Sequence, residues 1–135
     1  MLDKQGVRSV QIELKVGEYT NFIIIIARDG AIQRYGPVEP GATGDLKMAM
    51  LQEPIIDTLV ASVPEYVFGY LNRRFACSDD IAGKPCSLTL TFEDAQGELS
   101  GIRFDYGSDS KGPPDDVMAL VEGLREKTDS WYYTT

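Results

Sequence analysis

Residues 8–16 alternate, with Val10, Ile12, Leu14 and Val16 separated by Gln11, Glu13 and Lys15. A period of two marks a strand with one face in the core and one in water. Gly17-Glu18-Tyr19-Thr20 predicts a turn. Phe22-Ile23-Ile24-Ile25-Ile26 is apolar at every position and rich in β-branched residues. The expectation there is a strand covered on both faces, or met by a partner on one. Asp29-Gly30 suits a tight hairpin, because glycine accepts the positive φ such turns need. Ala31 to Tyr35 then returns as a third strand. Beyond the Gly/Pro-rich loop 36–44, helical spacing begins around Asp45 and becomes clear from Pro54. Ile56, Leu59, Val60, Val63, Val67, Tyr70 and Leu71 fall on one stripe at steps of three and four. Pro64 interrupts that stripe, and Ser62-Val63-Pro64-Glu65 has the capping-box spacing. The pattern predicts a sharp kink, or one helix ending near Ala61 and a second starting at Val63.

The second half opens with a polar connection, Asn72 to Pro85, carrying Arg73, Arg74, Asp79 and Asp80. Alternation resumes with Cys86, Leu88, Leu90 and Phe92, turns at Asp94-Ala95-Gln96-Gly97, and returns with Ile102, Phe104 and Tyr106. Gly107 to Pro113 is loop by composition. Pro114-Asp115-Asp116 then opens a final helix, with a proline at the first turn and two carboxylates beside the positive end of the dipole. Val117, Leu120, Val121 and Leu124 form its apolar stripe, with Arg125 and Lys127 placed to complement its C-terminal end. These elements predict an α+β fold: an antiparallel sheet of about five strands, with two main helices, the first kinked near Pro64, packed on one face. The length of 135 residues fits a single domain, 1–135. Its halves, 8–75 and 76–131, echo each other through Tyr35-Gly36 and Tyr106-Gly107, each followed by a Pro-rich loop and a helix. That echo suggests a ββα pseudo-repeat.

The layout Tyr19…Phe22-Ile23-Ile24…Asp29-Gly30…Tyr35-Gly36, a helix, Asp79-Asp80 and a hairpin, then Asp105-Tyr106-Gly107 and Pro114 before a closing helix, resembles a small bacterial hairpin–helix domain family of unknown function. The likeness covers about residues 10–130. Gly17-Glu18-Tyr19-Thr20 stands where such domains often carry a Gly-x-Cys-Pro element. The resemblance implies the fold and carries no activity.

Charge changes the picture more than any motif. The chain has 13 Lys plus Arg, 21 Asp plus Glu and no histidine, a formal charge of −8. Without histidine there is no Ser-His or Cys-His nucleophile pair, and the commonest general base and metal ligand are missing. Nucleic acid is an unsuitable partner, because phosphate recognition needs a basic footprint. Residues 1–75 carry 8 basic and 9 acidic side chains, a net of −1, whereas residues 76–135 carry 5 and 12, a net of −7. The acidity belongs to the second half.

Specific chemistry is sparse. Gly36 to Gly44 lacks the Gly-Lys-Ser/Thr ending of a phosphate loop. Asp105, Asp109, Asp115 and Asp116 surround the second Pro-rich loop without the ligand spacing of a calcium loop. No catalytic residue, cofactor or metal is expected. Cys77 and Cys86 are expected as unpaired thiols, Cys86 packing as a small hydrophobe. The N-terminal residues lack a secretory leader's basic start and apolar stretch, and no apolar run nears the roughly 20 residues of a membrane span. The expectation is a cytoplasmic protein with no membrane partner.

The reading that follows is a non-enzymatic protein-interaction module, inhibitor or immunity-like, whose acidic second half steers a basic protein partner. Its surface would include Asp105, Asp109, Asp115 and Asp116, with Trp131, Tyr132 and Tyr133 from an aromatic tail that folds back or anchors a partner. The alternative is a small-ligand-binding or enzymatic domain, with a pocket between sheet and helices rimmed by Tyr35, Tyr66, Tyr70 or Tyr106. A homodimer through the Ile-rich strand or the tail is compatible with both.

Overall fold

The alternating pattern read over residues 8–16 becomes the middle of one broad sheet in the computed structural model, which describes residues 4–38, 44–52, 55–77 and 82–132. The strands are β1 (Ser9–Val16), β2 (Tyr19–Ala27), β3 (Ala31–Tyr35), β4 (Leu46–Met50), β5 (Arg73–Ala76), β6 (Pro85–Glu93) and β7 (Leu99–Gly107). The helices are α1 (Ile56–Ser62), α2 (Glu65–Gly69) and α3 (Asp115–Tyr132), with a 3-10 turn at Lys4–Gly6. The sheet order is β4-β3-β2-β1-β6-β7-β5. Every neighbouring pair is antiparallel except β5 and β7, which run parallel.

One face of this sheet holds the core. Val10, Ile12 and Leu14 of β1 lie between Phe22, Ile24 and Ile26 of β2 and Leu88, Leu90 and Phe92 of β6. Ile56, Leu59 and Val60 of α1, Val67 of α2, and Val117, Val121 and Leu124 of α3 complete the same cluster. All three helices therefore cover one side, as helix stripes require. The other face carries the intervening residues: Gln11 and Glu13, Ile23 and Ile25, Thr89 and Thr91.

The sheet has seven strands and is mixed, where about five antiparallel strands were expected. The two additional strands are its edges. Residues 46–50, read with the onset of helical spacing near Asp45, form β4, and residues 73–76, read as connection, form β5. Both are short and half exposed, so neither has a long buried face to announce it. Because β5 pairs with β7, it ties the tail of the 8–75 unit into the 76–131 unit. The first unit is a four-strand meander and the second a hairpin, so the two ββα units are not equivalent.

At Pro64 the chain breaks into two helices rather than bending one, since Val63 and Pro64 are extended (ψ 127° and 139°). Ser62 does not cap the second helix; its hydroxyl donates to Thr58 O at 2.9 Å. The Ile-rich strand is not covered on both faces. Phe22, Ile24 and Ile26 are buried, whereas Ile23 and Ile25 are half-buried on the open side. α3 runs on to Tyr132, so Arg125 and Lys127 lie well before its end, and Arg125 instead binds Glu122 and Asp129 within the helix. Pro54, Asp79 and Asp80 lie outside the described residues.

Candidate functional site

The acidic and aromatic residues singled out in the sequence do not share one surface. Asp105 lies on the open face of β7, where its carboxylate accepts from Arg103 Nε at 2.9 Å and also from Arg74. Burial pushes this carboxyl up, but the two guanidiniums outweigh it and hold it below its ordinary value. Asp116 starts α3, accepting from the Tyr66 hydroxyl at 2.7 Å and from the Val117 amide at 2.8 Å. Burial, with this hydrogen bond behind it, pushes the Tyr66 phenol up to about 12. Asp115 is exposed in the same turn, and Asp109 is exposed in the loop after β7. Among the described residues no group of three Cys, Asp or Glu side chains could hold a metal ion.

The two described aromatics of the tail sit at the other end of α3, whose 18 residues span about 27 Å. They belong to its last turn, not to an extended tail. Tyr132 is buried; its hydroxyl donates to Asp45 O and accepts from Gly36 N at 3.2 Å. The Arg34 guanidinium lies 4.8 Å from the centre of its ring. Trp131 packs against the core's margin. These contacts fasten the helix end to β3 and the start of β4. Tyr133 lies outside the described residues.

A cleft of about 370 Å³ does lie between sheet and helices, lined by Tyr66, Tyr70, Phe75, Phe104, Cys77 and Lys111 among others. Tyr70 meets Phe75 edge-on with ring centres 5.7 Å apart. The Arg73 guanidinium lies 5.8 Å from the Tyr70 ring centre. Tyr106 stands next to the cleft, in line to touch a side chain added at Gly112. Tyr35 is remote from it, its hydroxyl accepting from Gly44 N at 3.3 Å. Cys77 and Cys86 are free thiols. Burial raises the Cys77 thiol, Asp105 adds to the effect, and Lys111 partly offsets it, so the thiolate that reacts is disfavoured here.

The most unusual surface was not singled out in the sequence. Leu46, Met48 and Met50 of β4 are 56%, 68% and 65% exposed, which makes them three of the six exposed large hydrophobics among the described residues. Their register places them beside Tyr35, Gln33 and Ala31 of β3, which lie beside Ile23 and Ile25 of β2. The open face is thus apolar on its β4 side. Across β6, β7 and β5 it turns polar, with Thr89, Thr91, Arg103, Asp105 and Arg74. Contiguous exposed apolar surface of this kind marks contact sites.

β4 ends the sheet on that side, and no described strand pairs with its outer edge. Leu51 N–H donates to Gly30 O at 2.8 Å. In the alternating antiparallel ladder, Ala49 and Lys47 then bond to β3, so the backbone groups of Leu46, Met48 and Met50 face outward. Gly30 permits the approach, because with φ +98° a Cβ there would lie 2.7 Å from Leu51 O. Natural edges are usually blunted by charge or proline. β5, at the opposite edge, carries Arg73 and Arg74, both exposed. β4 carries only Lys47, whose ammonium turns to the helix side, 5.6 Å from the Tyr132 ring centre. A sequence signal existed in the alternation of Leu46, Met48 and Met50 with Lys47 and Ala49.

No helix among the described residues is long and apolar enough to cross a membrane. Comparison with protein families, curated proteins and solved structures returns no match for this chain.

Proposed function

We propose that the chain is a non-catalytic protein-interaction module that docks through β4 and the apolar part of the open sheet face. The observation that carries this reading is the coincidence, on one edge, of exposed Leu46, Met48 and Met50 side chains with outward backbone groups. Adding a strand to such an edge supplies main-chain hydrogen bonds for affinity and side-chain contacts for selectivity. The acidic second half has a different role. Several of its carboxylates are neutralised internally, by Arg74 and Arg103 at Asp105 and by Arg125 at Glu122 and Asp129. What remains is a diffuse negative field that favours solubility and slows non-specific encounters.

A photo-crosslinking residue placed at Met48 or at Thr89 of the full chain tests the reading. Both lie on the open face, one on the apolar side and one on the polar side. Adducts are expected from position 48 and not from 89. Equal yields, or none from 48, would remove β4 as the docking element.

The aromatic cleft supports a second reading, a site for a small flat apolar ligand bearing an anionic group. Tyr70, Phe75 and Phe104 supply the apolar walls, and Lys111 and Arg73 place positive charge at the rim of an otherwise acidic chain. Saturable fluorescence enhancement of an anilinonaphthalene sulfonate, weakened by Tyr70→Ala, is its expected signature; enhancement indifferent to that substitution would discard it.

A further inference from the structure

The β4 edge is complementary to itself, and we propose that its occupant is a second copy of this chain, paired antiparallel about a two-fold axis at Met48. This inference rests on the docking reading above and names the partner. Its first support is hydrogen-bond phase. The outward groups belong to Leu46, Met48 and Met50, because Leu51, Ala49 and Lys47 face β3. An antiparallel partner centred on Met48 pairs Met48 with the second copy's Met48, and Leu46 with its Met50. All three are hydrogen-bonded positions of one ladder, so each outward amide meets a carbonyl. A centre midway between two residues would leave inward-facing groups opposite outward-facing ones, and a centre moved to Lys47 or Ala49 would pair only two of the three outward residues with each other.

Charge gives the second support. In a chain of net −8, any contact between copies must avoid setting carboxylates against each other. β4 has no acidic residue. In the Met48-centred register, Lys47 lies opposite Ala49, and Asp45 opposite Leu51, so no like charges meet directly. Lys47 is also drawn back toward the Tyr132 ring. The β5 edge lacks this property, since two copies paired there would bring four guanidiniums together.

Side chains supply the third support. On the open face the new pairs are Met48 with Met48 and Leu46 with Met50, all apolar. Flexible methionines adapt readily to a symmetric contact. A two-fold contact is also self-limiting: each copy spends its β4 edge, and the described sheet then ends at the two arginine-bearing β5 strands.

Sedimentation across a range of concentrations, with cysteine pairs to report the register, tests the proposal. The wild-type chain should sediment at twice its 14.9 kDa mass at high concentration and dissociate on dilution. Met48→Lys should weaken association by about a hundredfold, since the change acts on both sides of the axis. Met48 is exposed in the monomer, so at concentrations where the wild type has dissociated this variant should keep the wild-type thermal transition; Met50→Lys serves as a second substitution. Under mild oxidation Met48→Cys should form a covalent dimer. Met50→Cys alone should not, while Leu46→Cys with Met50→Cys in the same chain should. A monomer at every concentration overturns the proposal, as does a dimer indifferent to Met48→Lys or one crosslinked through position 50 alone. If position 48 crosslinks only to a different protein, self-pairing fails while the docking reading stands.

Discussion

The Arg34 guanidinium, 2% exposed on the core face of β3, lies 2.6 Å from the Asp129 carboxylate in the penultimate turn of α3. It also donates to Thr128 Oγ1 at 2.8 Å and to Arg125 O at 3.2 Å, and it stacks over Tyr132. A buried cation thus fixes the end of α3 against the strand next to β4. Removing one member of such a pair leaves the other uncompensated, whereas replacing both with apolar groups need not. Asp129→Ala should lower unfolding stability by about 2 kcal/mol, moderated because Asp129 keeps contact with water. Arg34→Met with Asp129→Leu should cost less than that single change. Urea midpoints at unchanged m-value check the order.

Asn72 adopts φ +65°, and its side chain accepts from Gly101 N at 3.1 Å while its amide donates to Gly101 O. Those bonds start the parallel β5–β7 pairing. Asparagine tolerates the left-handed region better than most residues. Asn72→Ala should cost about 2 kcal/mol through backbone strain and the lost bond, and Asn72→Gly about half as much. Thermal unfolding of the two variants should show this order.

Asp105 makes stability depend on pH in a defined direction. Its folded-state value lies below the ordinary 3.8, so its contribution is complete above that value and is lost as pH falls through the lowered one. Solvent screens the pair, because Arg74 and Arg103 are largely exposed. Asp105→Asn should therefore cost about 1 kcal/mol at neutral pH. The difference from wild type should close as the carboxyl protonates. Unfolding curves from pH 7 to pH 3 measure the gap, and one that widened toward acid would contradict the assignment.

What the sequence made legible follows burial. The alternation of Val10, Ile12 and Leu14, the alternation of Leu88, Leu90 and Phe92, and the proline-led start at Asp115 all correspond to elements with one strongly apolar face. The break at Pro64 was visible too, because proline acts locally. β4 and β5 were obscured because edge strands are short and gain their stability from pairing with β3 and β7, which no local pattern displays. Arg34 was hidden for a related reason. Its neutralising partners come from residues 91 to 95 positions away in sequence, on a helix that only the tertiary fold brings near. The apolar docking edge shared both problems: its residues read as ordinary hydrophobics until the fold left them uncovered.

Amide hydrogen exchange at Leu46, Met48 and Met50, followed as a function of protein concentration, tests most directly whether β4 pairs with a second copy. In the monomer these three amides face water and should exchange quickly, in contrast to those of Lys47 and Ala49, which bond to β3. As concentration rises, the three should gain protection together while the β5 edge stays unchanged. Exchange at the open rate at every concentration, or protection arising at β5 instead, would contradict pairing through β4.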